Sequence, residues 1–129
     1  MRRPFATLFF LYIGSVFFFL EAVLHALGLA VLEHDKIFLP THDRYIALLA
    51  LTNGALLILI STNITKYRHL FILLMIGIGL GMLNAFSIAQ SGGYKAYFAV
   101  STLDATLSVL GIGVFIWYIA TWVAWYAKR

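Results

Sequence analysis

The chain has 129 residues, of which 63% are hydrophobic and 11% charged, with a mean hydropathy of +0.96 and a formal net charge of +4. A soluble domain averages about 45–50% apolar and about 25% charged residues, so this composition indicates a membrane protein. The absence of cysteine excludes disulfides, thiolate metal sites and CxxC redox motifs, and the basic residues do not form the cluster that nucleic-acid binding needs.

Four apolar segments follow one another along the chain, at about residues 4–32, 45–64, 70–89 and 103–127. A helix needs roughly 20 apolar residues to cross a hydrocarbon core about 30 Å thick. The segments are apolar nearly all round, whereas the helices of a soluble bundle have polar outer faces. The sequence therefore predicts an all-α integral membrane four-helix bundle, made by one transmembrane domain over residues 1–129.

The basic residues are divided unequally between the two predicted sides of this bundle. Six lie with the termini and the second connection, and three lie with the other two connections: Arg2, Arg3, Lys66, Arg68, Lys128 and Arg129 against Lys36, Arg44 and Lys95. The positive-inside rule then predicts that both termini are cytoplasmic. The expected location is the cell membrane of a prokaryote. Trp122, Trp125 and Tyr126 are typical of an aromatic belt at that inner surface.

Two ionisable residues interrupt the first apolar segment, in the stretch FFFLEAVLHALGL at residues 17–29. Glu21 is 18 residues beyond Arg3, which corresponds to about 27 Å of helix and so to the outer side of the membrane. His25 is one helical turn further, on the same face, so the two side chains can touch. A lone carboxylate in hydrocarbon is costly and needs a proton or a partner.

The strongly polar residues of the other three segments are predicted at a similar depth. Asn53 and Asn84 fall in the outer half of the membrane, and Asp104 begins the fourth segment at the outer surface. One hypothesis is therefore a polar pocket within the bundle that opens outward and combines these residues with Glu21 and His25. The alternative is that Glu21 and His25 form a structural pair that joins helices.

The first outward connection has a second polar group, EHD at residues 33–35 and HD at residues 42–43. His34, Asp35 and His42 could bind a divalent metal such as Zn²⁺ or Cu²⁺. Their spacing matches no established metal motif, and solvated loop residues are the alternative. Haem would need two histidines on facing helices at one depth, a requirement that His25 and His69 do not meet. The sequence identifies no cofactor.

Glycines form the third notable pattern. GIGLG at residues 77–81 has Gly77 and Gly81 at the GxxxG spacing, and Gly111 and Gly113 lie in the fourth segment. Small residues let membrane helices approach closely. The pattern predicts either packing within the bundle or a docking face for another subunit.

The stretch YIALLALTNGALLILISTNITKYRHLFILLMIGIGLGML resembles the DoxX-like group of small four-helix membrane proteins. The shared features are a helix with polar residues followed by glycine near its centre, a short basic turn and an apolar third helix. The resemblance covers about residues 10–90 and implies the four-helix topology. Members of that group are linked to quinone or sulfur oxidation, but they often have a glutamate where this chain has Thr52-Asn53-Gly54. No functional residue is therefore carried over.

These observations predict a small non-catalytic integral membrane subunit that packs against a larger membrane complex and stabilises it. An energy-converting oxidase or a monooxygenase would be a natural host. Two alternatives remain. One is a DoxX-like quinone-binding or oxidoreductase-related protein that uses the outer polar pocket, and the other is a small metal-binding protein or transporter. The expected partners are the lipid bilayer and other membrane subunits, with no nucleic acid.

Overall fold

The structure is a computed structural model that describes residues 5–27, 40–90 and 103–127. These residues form four helices and contain no strand, which confirms the predicted all-helical architecture for this part of the chain. The helices are α1 (Phe5–Ala26), α2 (Pro40–Thr62), α3 (Arg68–Gln90) and α4 (Leu103–Tyr126). Side chains are described for residues 5–27, 44–84, 86, 87 and 111–127.

Two of these helices are long and apolar enough to cross a membrane. They are the whole of α1, Phe5–Ala26, and the 19-residue part Arg44–Thr62 of α2. Within the described residues, α3 and α4 contain the shorter apolar stretches Arg68–Asn84 and Gly111–Tyr126.

Local chemistry explains the two ends of α2. Pro40 is its first residue, a position that suits proline because its fixed φ fits a helix and its missing N–H has no helical partner there. At the other end, the Asn63 side chain accepts a hydrogen bond from the Lys66 backbone N–H at 2.9 Å. This bond closes the short turn 63–67, so α2 and α3 run antiparallel as neighbours.

Helices α1 and α2 pack along most of their length around small residues. The Ser15 hydroxyl of α1 donates to the Gly54 carbonyl of α2 at 3.1 Å. The Phe19 ring lies against Gly54, where an added Cβ would meet it at 3.0 Å. A glycine here lets the two backbones approach closely enough for the hydroxyl to reach the carbonyl.

Helix α4 is attached to α1 by Trp117 and Thr7. The Trp117 ring occupies the space over Gly14, and its Nε1 donates to the Phe10 carbonyl at 2.8 Å. The Thr7 hydroxyl donates to the Ala124 carbonyl at 2.9 Å. Because Ala124 lies in the last turn of α4, its carbonyl has no partner within that helix, and Thr7 supplies one.

The hydrophobic core lies at one end of the bundle, where α1 and α3 begin and α2 and α4 end. Its buried members are contributed by all four helices: Leu11, Leu57, Ile60, Phe71, Leu74, Met75 and Trp125. We call this the basic end, because Lys66 and Arg68 lie there and because Arg2, Arg3, Lys128 and Arg129 flank in the sequence the helix ends that form it. The opposite end, where α1 and α3 end and α2 and α4 begin, is called the acidic end.

Beyond the basic end, the described side chains of α3 and α4 are half-buried or exposed, and none is fully buried. The buried side chains of α3 lie at residues 71–75 and those of α4 at residues 121–125. No described side chain is buried at residues 76–87 of α3 or at residues 111–120 of α4. In contrast, α1 and α2 have buried residues from one end to the other, so the described side chains form a complete bundle core at the basic end only.

The contact between Gly14 and Trp117 gives the first prediction. The substitution Gly14→Ala puts a methyl group into the Trp117 ring and against Leu57. Overpacking of this kind costs about 1–3 kcal/mol. We expect a lower midpoint of thermal unfolding in detergent, followed by circular dichroism.

The matched control is Gly113→Ala, because a Cβ at Gly113 meets no described atom within 4 Å. Its unfolding midpoint should equal or slightly exceed that of the wild type, since alanine favours a helix over glycine. Equal midpoints for the two variants would contradict the packing described for Trp117.

Candidate functional site

The most conspicuous polar pair is Glu21 and His25 on α1. Glu21 Oε2 lies 3.2 Å from His25 Nε2, and the two side chains are 24% and 14% exposed. The pair lies one turn apart, as the spacing predicts. A carboxylate and an imidazole at this distance share a proton or form an ion pair, either of which reduces the cost of keeping them away from water.

The pair lies on the side of α1 that faces α4. Thr7, Gly14 and Phe18 all contact α4, and residues 21 and 25 continue the same helical face. Thr7 contacts the end of α4, and Gly14 contacts Trp117. The two helices therefore run antiparallel, so a residue further along α1 is level with a residue nearer the start of α4. If this register continued to the end of α1, His25 would be level with the first turn of α4, to which Asp104 belongs. The Asp104 side chain lies outside the described residues.

The two asparagines of the predicted pocket have different surroundings. Asn53 on α2 is half-buried, and Asn84 on α3 is exposed. Within the described part of the chain, neither amide has a hydrogen bond, and neither contacts Glu21 or His25. Among the described side chains of the predicted pocket, Glu21 and His25 are the two that lie in contact, and a pocket that also includes Asn53, Asn84 and Asp104 stays a prediction.

The predicted metal site lies outside what the structure describes. His34 and Asp35 fall within residues 28–39, and His42 belongs to the first turn of α2 without a described side chain. Among the described side chains, no three His, Cys, Asp or Glu residues are close enough to hold a metal ion. The two remaining histidines are far apart, because His25 is near the acidic end and His69 is in the first turn of α3 at the basic end.

Surface grooves do not coincide with the polar pair. One groove of about 530 Å³ runs along the exposed face of α1, and another of about 310 Å³ lies between α1 and α2. Apolar and aromatic side chains line both grooves, and neither is lined by Glu21 or His25. These grooves suit acyl chains better than a polar ligand.

The four glycines of the predicted packing motif are exposed. A Cβ built on Gly77, Gly81, Gly111 or Gly113 meets no described atom within 4 Å. The glycines that pack within the chain are Gly14, Gly54 and Gly79, each of which lies under an aromatic ring from another helix. Sequence reasoning missed these three, because their only signal is a large aromatic side chain on a distant segment.

Helix α3 presents small and polar residues on one exposed face. Gly77, Gly81 and Asn84 follow one another at four and three residues, the spacing of a single helical face. All three are exposed. Leu73 continues this face toward the basic end and is 68% exposed. We call Leu73, Gly77, Gly81 and Asn84 the glycine face.

Comparison with known proteins gives no relative for this chain: no family model matches it, and neither do curated proteins or solved structures.

The Glu21–His25 contact gives the second prediction. In Glu21→Gln, a neutral amide replaces the carboxylate that lies 3.2 Å from His25 Nε2. The amide has no negative charge, so the imidazole ring loses the carboxylate charge beside it. We expect the ¹⁵N chemical shifts of the His25 ring to change in the detergent-solubilised protein.

The exposed His69 at the basic end serves as the internal control, and its ring signals should not move. Unchanged His25 signals in Glu21→Gln would show that the two side chains do not interact in solution.

Proposed function

We propose that the chain is a small, non-catalytic integral membrane subunit with four transmembrane helices and cytoplasmic termini. It binds a helix of a larger membrane complex through the glycine face. The observation that supports this most directly is that Gly77, Gly81 and Asn84 lie on one exposed face of α3, which no other described residue covers.

Burial supports membrane insertion. Only 28% of the most apolar window of α1, and the same share of α2, is buried within the chain. A core helix of a soluble protein would be mostly buried, whereas these helices expose apolar side chains such as Val16 and Leu49. An exposed apolar surface on this scale is costly in water and is favourable in lipid.

Lipid alone is a poor cover for the glycine face. Glycines leave a shallow channel that a neighbouring helix fills better than disordered acyl chains do, because close approach adds van der Waals contacts. The Asn84 amide has two donors and an acceptor that hydrocarbon cannot satisfy. A partner helix with a hydroxyl, an amide or a free carbonyl at that height would satisfy them.

The Glu21–His25 pair favours a second candidate function, a DoxX-like protein that binds a quinone or a related redox molecule. Its ionisable groups are largely buried, which is costly and often functional in a membrane protein. Glu21→Gln separates the two functions. A subunit with a structural pair still assembles and supports its complex, whereas a protein with proton or quinone chemistry assembles but loses activity.

The third prediction concerns the glycine face. The double substitution Gly77→Leu and Gly81→Leu fills the channel, and Asn84→Leu removes the hydrogen-bonding group. Both variants should fold, since the three positions touch no other described helix. After mild-detergent purification from the native membrane, native mass spectrometry should show that they have lost most of the partner subunit.

Ala55→Leu is the control, because it enlarges an exposed residue on α2, away from the glycine face. It should retain the partner. A wild-type chain that emerges alone or as a homo-oligomer would contradict the subunit proposal, and equal partner loss in Ala55→Leu would exclude the glycine face as the contact.

A further inference from the structure

We infer that the basic end of the bundle binds the headgroups of anionic phospholipids in the cytoplasmic leaflet. The inference rests on the proposed membrane insertion and orientation, and it is independent of the proposed partner subunit. It follows from the distribution of charge along the chain, the exposure of the described cations and the aromatic layer beneath them.

The charges of the chain are separated between the two ends. In the sequence, the five acidic residues belong to the end of α1, the connection after it, or the first turns of α2 and α4: Glu21, Glu33, Asp35, Asp43 and Asp104. Six of the nine Lys and Arg residues belong instead to the two termini and the turn between α2 and α3. These three segments contain no acidic side chain, so the sequence gives them six formal positive charges that no neighbouring carboxylate compensates.

The structure describes three of the groups that form this surface. Lys66 lies in the turn after α2, and Arg68 and His69 are the first two residues of α3. All three are exposed. The Lys66 ammonium lies 5.3 Å from the centre of the Tyr67 ring, which holds the cation at the surface of the bundle.

Four further cations flank, in the sequence, the helix ends that form this surface: Arg2 and Arg3 precede α1, and Lys128 and Arg129 follow α4. Those four residues lie outside the described part of the chain. Lys66, Arg68 and His69 are therefore the groups that we assign to the lipid headgroup.

Aromatic side chains form a layer directly beneath the charges. The Phe71 ring stacks on Trp125, with centroids 3.6 Å apart, and packs edge-on against Trp122. Trp122 in turn stacks on Tyr126, which is 46% exposed. Phe71 and Trp125 belong to the core, whereas Trp122 and Tyr126 reach the surface of the bundle. Tryptophan and tyrosine at a surface prefer the level of the lipid headgroups, so these two residues favour a position of Lys66 and Arg68 near the lipid phosphates.

A phospholipid fits this surface better than a soluble anion does. The surface offers cations for a phosphate and, one turn deeper, exposed apolar side chains such as Phe5 and Val123 for the acyl chains. A free phosphate would use only the cations. An acidic protein would also contact only the cations, and the adjoining apolar surface would still be covered by lipid. The lipid alone matches both parts of the surface.

The test uses the full chain, purified and inserted into nanodiscs with equal amounts of phosphatidylcholine and phosphatidylglycerol. The lipids that remain bound after release from the nanodisc are counted by native mass spectrometry. We expect wild-type protein to retain phosphatidylglycerol preferentially. The double variant Lys66→Gln and Arg68→Gln should lower this preference by about fivefold or more, given the usual attraction of each basic residue to an anionic surface.

Arg44→Gln is the matched control, since Arg44 is exposed but lies near the acidic end. Its lipid preference should equal that of the wild type. Equal retention of both lipids by the wild type, or an equal effect of Arg44→Gln, would overturn the inference. Loss of the bound lipid on addition of inorganic phosphate alone, at constant ionic strength, would show a general anion surface and would also overturn it.

The same experiment separates this inference from the proposed function. A chain that enters the nanodisc but shows no lipid preference overturns only the lipid inference. A chain that does not enter the bilayer overturns the membrane proposal and this inference with it. The assay contains no partner subunit, so a failure of the proposed partner binding cannot produce either result.

Discussion

The packing of Trp117 over Gly14 holds the bundle together, because it fixes α4 against α1. The absence of a side chain at Gly14 makes room for the indole, and the indole Nε1 then reaches the Phe10 carbonyl. Phe18 covers the ring edge-on. With α4 held in this position, Tyr118 reaches across to the Met75 carbonyl of α3 at 3.0 Å. One aromatic–glycine contact thus determines the position of two helices.

The hydrogen bonding of polar side chains differs between the two ends of the bundle. At the basic end, the hydroxyls of Thr7, Ser61 and Thr121 all donate to backbone carbonyls. Among the described residues, no fully buried side-chain nitrogen or oxygen lacks a partner. Toward the acidic end, Asn53 and Asn84 have amides without described hydrogen bonds. In the proposed bilayer, hydrocarbon would not satisfy these amides, and this is why the proposed partner helix is assigned to that part of the described bundle.

The two proposals divide the molecule in a consistent way. The basic end is well packed, has an aromatic layer and an uncompensated positive charge, and therefore suits the charged surface of a lipid leaflet. On the other half of α3, Gly77, Gly81 and Asn84 form a face that no described residue covers, and this face therefore suits a protein helix. A membrane subunit needs both kinds of surface, one to fix its height in the bilayer and one to select its partner.

The sequence alone determined the four helices, the Glu21–His25 contact and the inequality of charge, because these depend on hydropathy, on one helical turn and on residue counts. Only the tertiary structure decided which glycines are covered. Gly14 and Gly79 lie under Trp117 and Tyr118, whereas the more regular GxxxG pair lies bare. The physical reason is that spacing along one helix defines a face, but the rotation and register of the neighbouring helices decide what that face meets.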